Sequence, residues 1–187
     1  MRRTYRYRVE GANSLWHVYK TVPFWKVMKN FIVIQLARYT PFLHMKNWLY
    51  RTFLHMKVGE QTSFGLMAML DIMFPEKISI GKNTVIGYNT TMLAHEYLIK
   101  EYRLGEIHIG NEVMIGANCT ILPGITIGDG AIVSAGTLVH KDVPAGAFAG
   151  GNPMKIIYTK DELESRWKND PIYGETPTTD KVIPPPK

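Results

Sequence analysis

Residues 109–144 read IGNEVMIGANCTILPGITIGDGAIVSAGTLVHKDVP, and an aliphatic side chain returns at every sixth position: Ile109, Ile115, Ile121, Ile127, Val133 and Val139. A step of six matches neither the turn of a helix nor the alternation of a single strand, so it marks a repeated supersecondary unit. Each repeat is a short strand and a corner. The corners carry residues that turn tightly, Gly110-Asn111, Gly116-Ala117-Asn118, Pro123-Gly124 and Gly128-Asp129-Gly130. Four places along each repeat stand Val113, Cys119, Ile125, Ala131, Thr137 and Val143. These are mostly small or β-branched, as a narrow core between parallel strands about 4.8 Å apart requires, with Ile125 oversized for the place. The stretch reads as a β-solenoid.

Outward from it, Ile80, Ile86 and Met92 keep the same step toward the N-terminus, and then LAHEYLIKEYRLGEIH breaks it before Ile109 restores it in another phase. Residues 94–106 therefore read as a loop thrust out of the solenoid. Upstream, VGEQTSFGLMAMLDIMFPEKISIGKN reads as extended pieces separated by Gly65, Pro75 and Gly81, which sets the solenoid domain at 58–158. It ends through Pro144 and the Gly150-Gly151-Asn152-Pro153 turn. Thr159 and Glu162 form a capping-box pattern for a last helix within 159–187, and the Pro- and Thr-rich tail from Pro171 is expected to fray.

Residues 1–57 form a basic, aromatic extension. Ser14 is placed to cap a helix, Pro23 interrupts the helical stretch behind it, and a third helix is expected from Thr40-Pro41 to about Lys57, with Phe42, Met45, Leu49, Phe53 and Met56 on its apolar face and Lys46 and Arg51 on the other. This block carries 11 Lys or Arg against Glu10 alone, whereas residues 58–187 carry 11 against 15 acids, so a formal charge of +6 divides into +10 and −4. Two readings stand for it. In one it is a helical layer that packs its aromatics on the solenoid end or on a sister subunit. In the other, Trp16, Trp25 and Trp48 with the cations make a peripheral contact with an anionic membrane. Nucleic acid is not expected, because no binding motif accompanies the charge.

Composition sets further bounds. With 45% hydrophobic and 20% charged residues, the chain suits one globular domain with modest attachments. The single cysteine, Cys119, cannot form an intramolecular bridge and sits at a core position of the repeat, which fits a reducing cytoplasm. The basic start is followed by no apolar leader region, and no uncharged stretch approaches the roughly 20 residues a membrane span needs.

The repeat resembles the hexapeptide-repeat acyltransferases, and residues 58–160 as a whole are similar to maltose and galactoside O-acetyltransferases. The resemblance implies a mainly β fold, a left-handed parallel β-helix of hexapeptide repeats taking three sixes per triangular coil, assembled as a homotrimer. It also implies acetyl-coenzyme A as acyl donor, no metal, and a hydroxyl acceptor on a sugar or sugar-containing molecule; that this molecule is lipid-linked follows instead from the membrane reading of residues 1–57. NTTMLAHEY resembles the segment in which that family places its catalytic histidine at the start of a loop, which makes His95 the candidate base; Glu96 stands where the sugar enzymes usually have proline. By the same match Ala117 and Ala135 let a pantetheine arm lie close to the backbone, Lys141 faces the nucleotide and Lys155 its phosphates. Asp71 and Asn89 are the corresponding acceptor-binding candidates.

The chemistry suits an imidazole. An alcohol attacking a thioester must lose its proton, and a histidine with an ordinary pKa of about 6.5 can take it near neutrality, typically contributing about 10²–10⁴-fold to the rate. The metal alternative, a zinc hydratase on the same solenoid, needs a paired histidine spacing that His95, His108 and His140 lack. The alternative outside enzymes is a non-catalytic trimeric binding module docking through residues 1–57.

Overall fold

The computed structural model describes residues 2–170, and its centre is a parallel β-solenoid with three sides, each a stack of short strands from successive coils. One side stacks Lys57–Val58, Ile78–Ile80, Ile107–Ile109 and Thr126–Ile127. The second stacks Ser63–Phe64, Val85–Ile86, Met114–Ile115, Ile132–Val133 and Phe148–Gly150. The third stacks Thr91–Met92, Thr120–Ile121 and Leu138–Val139. Ile109 lies against Ile127, Ile115 against Val133 and Ile121 against Val139, so three of the six-residue repeats complete one turn.

The repeat residues fill the interior. From Ile109 to Val139 all are at most 4% exposed, and so are the small-residue positions between them, Ile125 included. Backbones of successive coils nearly touch at the corners: a Cβ on Gly116 would lie 2.4 Å from the Ala135 nitrogen, so only glycine lets the coils stack there. The first coil begins at Lys57, and its buried Val58, Phe64 and Leu70 keep the six-residue step. The sequence reading traced that step only to Ile80, because residues 71–77 are inserted between Leu70 and the strand Ile78–Ile80 and shift its phase.

That insertion and the expected loop at 94–106 leave the solenoid at the same corner, on consecutive coils. The latter, expected as an extruded loop, is an extruded hairpin: His95–Tyr97 pairs antiparallel with Glu101–Leu104. The N-terminal strand Tyr5–Arg8 adds to its outer edge, and Tyr7 stacks on Tyr102 with ring centroids 4.6 Å apart. Several of the arginines that make residues 1–57 so basic are taken up here. Arg2 pairs with Glu96 at 2.9 Å, Arg3 with Asp142 at 2.9 Å and Arg6 with Glu101 at 2.8 Å. The arm is thus a strap along the corner that carries His95.

Three helices come after the strap: α1 (Val18–Thr21), α2 (Phe24–Tyr39) and α3 (Leu43–Phe53). Asn13, not Ser14, caps the first turn by accepting from Trp16 N, while Ser14 is buried and donates to Leu98 O at 2.6 Å. Helix α3 departs from the expected faces in part, for Leu49 and Met56 pack inward and Arg51 stays exposed as expected. Lys46, Asn47 and Tyr50 are buried, whereas Phe42, Met45, Trp48 and Phe53 are exposed. Partners for the buried donors permit this: the Lys46 ammonium donates to the Phe64 and Gly65 carbonyls at 2.9 and 3.0 Å, and the Asn47 amide N–H donates to Thr62 O at 2.7 Å, while the Asn47 amide oxygen and the Tyr50 hydroxyl are buried without one. Burial holds the Lys46 ammonium below the usual lysine range. Val33, Ile34, Ala37 and Leu54 close the first coil from above.

At the other end, Lys155–Tyr158 returns antiparallel along Phe148–Gly150, and α4 (Lys160–Lys168) starts with the capping box read from Thr159 and Glu162. The expected fraying from Pro171 falls outside the described residues. Among the described residues, no helix is long and apolar enough to cross a membrane.

Candidate active site

His95 opens the hairpin, one coil beyond the 71–77 insertion, and the two excursions bring it against Asp71. The imidazole Nδ1 lies 2.6 Å from Asp71 Oδ2, with 16% of the His95 side chain exposed and none of the Asp71 side chain. The carboxylate is otherwise filled by backbone donors. Ala94 N–H donates to Oδ2 at 2.7 Å, and Met73 and Phe74 N–H donate to Oδ1 at 2.8 and 2.9 Å. A carboxylate held by N–H donors accepts at the histidine contact as well, so Nδ1 carries the hydrogen and Nε2 presents a lone pair.

Asp71, expected to meet an acceptor molecule or to satisfy a turn, does the latter within this chain. Its oxygens are enclosed and engaged; it closes a turn and orients His95. The imidazole is further confined by rings, with Phe74 edge-on at 5.9 Å and Tyr97 at 5.0 Å between centroids. Tyr97 is itself fixed by a hydrogen bond of 2.7 Å between its hydroxyl and Thr21 in α1, and burial, opposed by that bond, pushes its phenol upward. Glu96, beside the histidine in sequence, turns to Arg2 and Arg103 instead of the imidazole.

The remaining candidates, Lys155 apart, divide between two corners. Ala117 and Ala135 stack on successive coils at the corner between the second and third sides, next to Gly87 and Gly116. Asn89 belongs to this corner too. It turns with φ of +54°, and its amide donates to Asn118 at 2.9 Å, so within one chain it is a corner residue and is not brought to His95. Lys141, exposed, lies at the corner that carries the His95 hairpin on an earlier coil, next to the Asp142 held by Arg3. Lys155 is exposed on the returning strand, opposite Gly150. The third side of the solenoid thus separates the alanine column from the histidine and Lys141.

The other histidines stay apart. His108 contacts Ser79 and Glu106 on the first side, His140 contacts the Leu138 carbonyl, and among the described residues no three His, Cys, Asp or Glu side chains group to hold a metal ion. Cys119 is buried in the core, and burial pushes its thiol up.

The sequence reading missed the Asp71–His95 pair together with its aromatic walls. A signal was present, since Val58, Phe64 and Leu70 are spaced by six and place residues 71–77 at a corner.

Comparison with known proteins agrees with the fold. The family profile described as "Hexapeptide repeat of succinyl-transferase" matches residues 106–141. "Putative acetyltransferase YvoF" of Bacillus subtilis is 77% identical over 168 residues, covering 90% of this chain and 98% of the relative. SAR0816 of Staphylococcus aureus, named in the same terms, is 49% identical over 78% of this chain and 90% of its own length. Among solved structures, the hexapeptide-repeat acetyltransferase VCA0836 of Vibrio cholerae overlays with a TM-score of 0.61 at 20% identity, covering 71% of this chain and 89% of that one. A galactoside acetyltransferase in complex with coenzyme A overlays at 0.57 and 21% identity, covering 75% and 83%. The solenoid is therefore a shared fold, and the 168 residues matched in the Bacillus subtilis relative extend the likeness beyond the coils.

Proposed function

Because the chain belongs to the hexapeptide-repeat acetyltransferases, we propose that it transfers the acetyl group of acetyl-coenzyme A to a hydroxyl of a sugar or a sugar-containing, lipid-linked acceptor, with His95 as general base. The observation that carries this is the 2.6 Å contact between His95 Nδ1 and a fully enclosed Asp71 carboxylate. It fixes the tautomer in which Nε2 accepts the acceptor's proton as its oxygen adds to the thioester carbonyl. Collapse of the tetrahedral adduct breaks the C–S bond, and the imidazolium returns the proton to the departing coenzyme A sulfur. No acyl-enzyme forms.

The donor is inferred from the fold relatives crystallised with acetyl-coenzyme A or coenzyme A. In our reading the coil is left-handed and the protein a homotrimer. The groove between neighbouring solenoids takes the pantetheine arm past Ala117 and Ala135, while Lys141 and Lys155 meet the nucleotide and its phosphates. A trimer also accounts for the split of these residues between two corners, since a neighbour's alanine column can face a His95 that its own chain keeps apart. Asn89 would then meet the acceptor only across that interface. In our reading the reaction takes place in the cytoplasm.

The test uses radiolabelled acetyl-coenzyme A, the purified protein and a cell extract divided into lipid and aqueous fractions. Base-labile label in a sugar-containing product of either fraction is the expected result. Label only in amine-linked, base-stable products would replace the hydroxyl acceptor with an amine, and no transfer to any fraction would favour the binding-module alternative.

A further inference from the structure

Helix α2 is apolar on both faces. Val33, Ile34 and Ala37 face the solenoid, yet Trp25, Ile32, Leu36 and Tyr39, which share the opposite stripe, are open to solvent, with Trp25 78% and Leu36 62% exposed. A helix that is hydrophobic all round is ordinarily covered all round. Helix α3 continues the surface with Phe42 at 67% and Trp48 at 55%, and it does so by burying Lys46 and Asn47 in their place. In water alone this arrangement runs against the hydrophobic effect on both helices.

Charge decides what covers the face. Between Glu10 and Glu60 the chain has seven Lys or Arg and no acid. Lys26 is paired with Glu76 and Lys46 is buried, while Lys20, Lys29, Arg51 and Lys57 remain exposed. A two-fold contact with a second copy would set this cation-only surface against itself, and a three-fold contact is told apart by the oligomeric state measured below. Anionic headgroups complement it, and tryptophan and tyrosine with lysine are the side chains that settle at a headgroup boundary. With 16 residues α2 spans about 24 Å. It also carries Lys26, Lys29 and Arg38, so it lies along such a surface instead of crossing it.

We propose that the outward face of α2 and α3 is a membrane-docking surface that seats in the headgroup layer of an anionic phospholipid bilayer. This goes beyond the transferase reading and does not rest on it. Seated there, the helices would hold the His95 corner, tied to α1 through Tyr97 and Thr21, near the bilayer surface, where a lipid-linked acceptor presents its hydroxyls.

The experiment is flotation of the full-length protein, without acetyl-coenzyme A, on vesicles of phosphatidylcholine alone or mixed with phosphatidylglycerol, with light scattering on the same samples. Binding to the mixed vesicles only, weakened by salt and shifting tryptophan emission to the blue, is the expected result. Trp25→Ser with Trp48→Ser should lower partitioning at least about tenfold, and Lys29→Gln about fivefold, with the oligomeric state in solution unchanged. Absence of flotation on the mixed vesicles would overturn the proposal. So would dissociation of an oligomer by the tryptophan pair, which would make this face a contact between copies of the chain.

Discussion

Replacing Asp71 by asparagine changes one oxygen into an NH₂ group and leaves the size of the side chain unchanged, yet every neighbour of this carboxylate is a donor. Ala94 N–H and His95 Nδ1 meet Oδ2, and Met73 and Phe74 N–H meet Oδ1. An amide in either orientation therefore sets its own N–H against two donors. If it faces His95, the imidazole can pair with it only by accepting at Nδ1, which moves the hydrogen to Nε2 and removes the lone pair that the reaction requires. The equivalent exchange in a serine-protease triad costs about 10⁴ in kcat, so a fall of about 10²–10⁴ is expected here. At least one buried N–H is also left facing a donor, at a cost of about 1–3 kcal/mol. In a chain of this size each kcal/mol lowers Tm by about 2–4 °C. Steady-state acetyl transfer, a thermal melt and imidazole ¹⁵N shifts read the three consequences separately. The reasoning is refuted if Asp71→Asn keeps kcat within about threefold and raises only the acceptor KM, which would make Asp71 an acceptor-binding group after all.

Four further outcomes rest on the same coordinates. Lys46→Met removes a charged donor from the Phe64 and Gly65 carbonyls and should cost about 1.5–3 kcal/mol, read from the urea midpoint. Gly116→Ala drives a methyl to 2.4 Å from the Ala135 nitrogen, so the coils must part, and a loss of about 1–3 kcal/mol is expected in the same assay. Hydrogen bonds from Arg6 and then Arg103 hold the Glu101 carboxyl below its usual range. The strap they fasten should keep its exchange protection above the ordinary carboxylate pKa and lose it as pH falls through the depressed one, read by hydrogen exchange at Tyr5–Arg8. Cys119, buried with its thiol pushed up, should alkylate at least about tenfold more slowly in the folded protein than in urea, followed by mass spectrometry.

The solenoid was legible because its core is written at a fixed period: Ile109 to Val139 place every inward side chain, and the register bears this out. His95 was legible as the residue at which the period fails. What joins it to Asp71 was not, since two insertions on consecutive coils displace the pair from any constant spacing. Asp71 consequently read as an acceptor ligand, and Asn89 as another, although a left-handed corner suffices to explain that asparagine. Helix α3 was legible in place and only partly in face, right at Leu49, Met56 and Arg51 and wrong at Lys46, Met45 and Phe53. Period alone assigns an apolar stripe to the interior, and only the free carbonyls above the first coil show why Lys46 goes inward. Hairpin pairing with Tyr5–Arg8 joins residues nearly a hundred positions apart, which no local pattern records.

The most direct test of the account is the rate of acetyl transfer by His95→Ala beside the unaltered protein, with labelled acetyl-coenzyme A and the same acceptor fraction. A loss of about 10²–10⁴-fold in kcat, with the affinity for acetyl-coenzyme A and the thermal melt little changed, is the predicted result. Transfer by the variant at the rate of the unaltered protein would contradict it and remove His95 as the base.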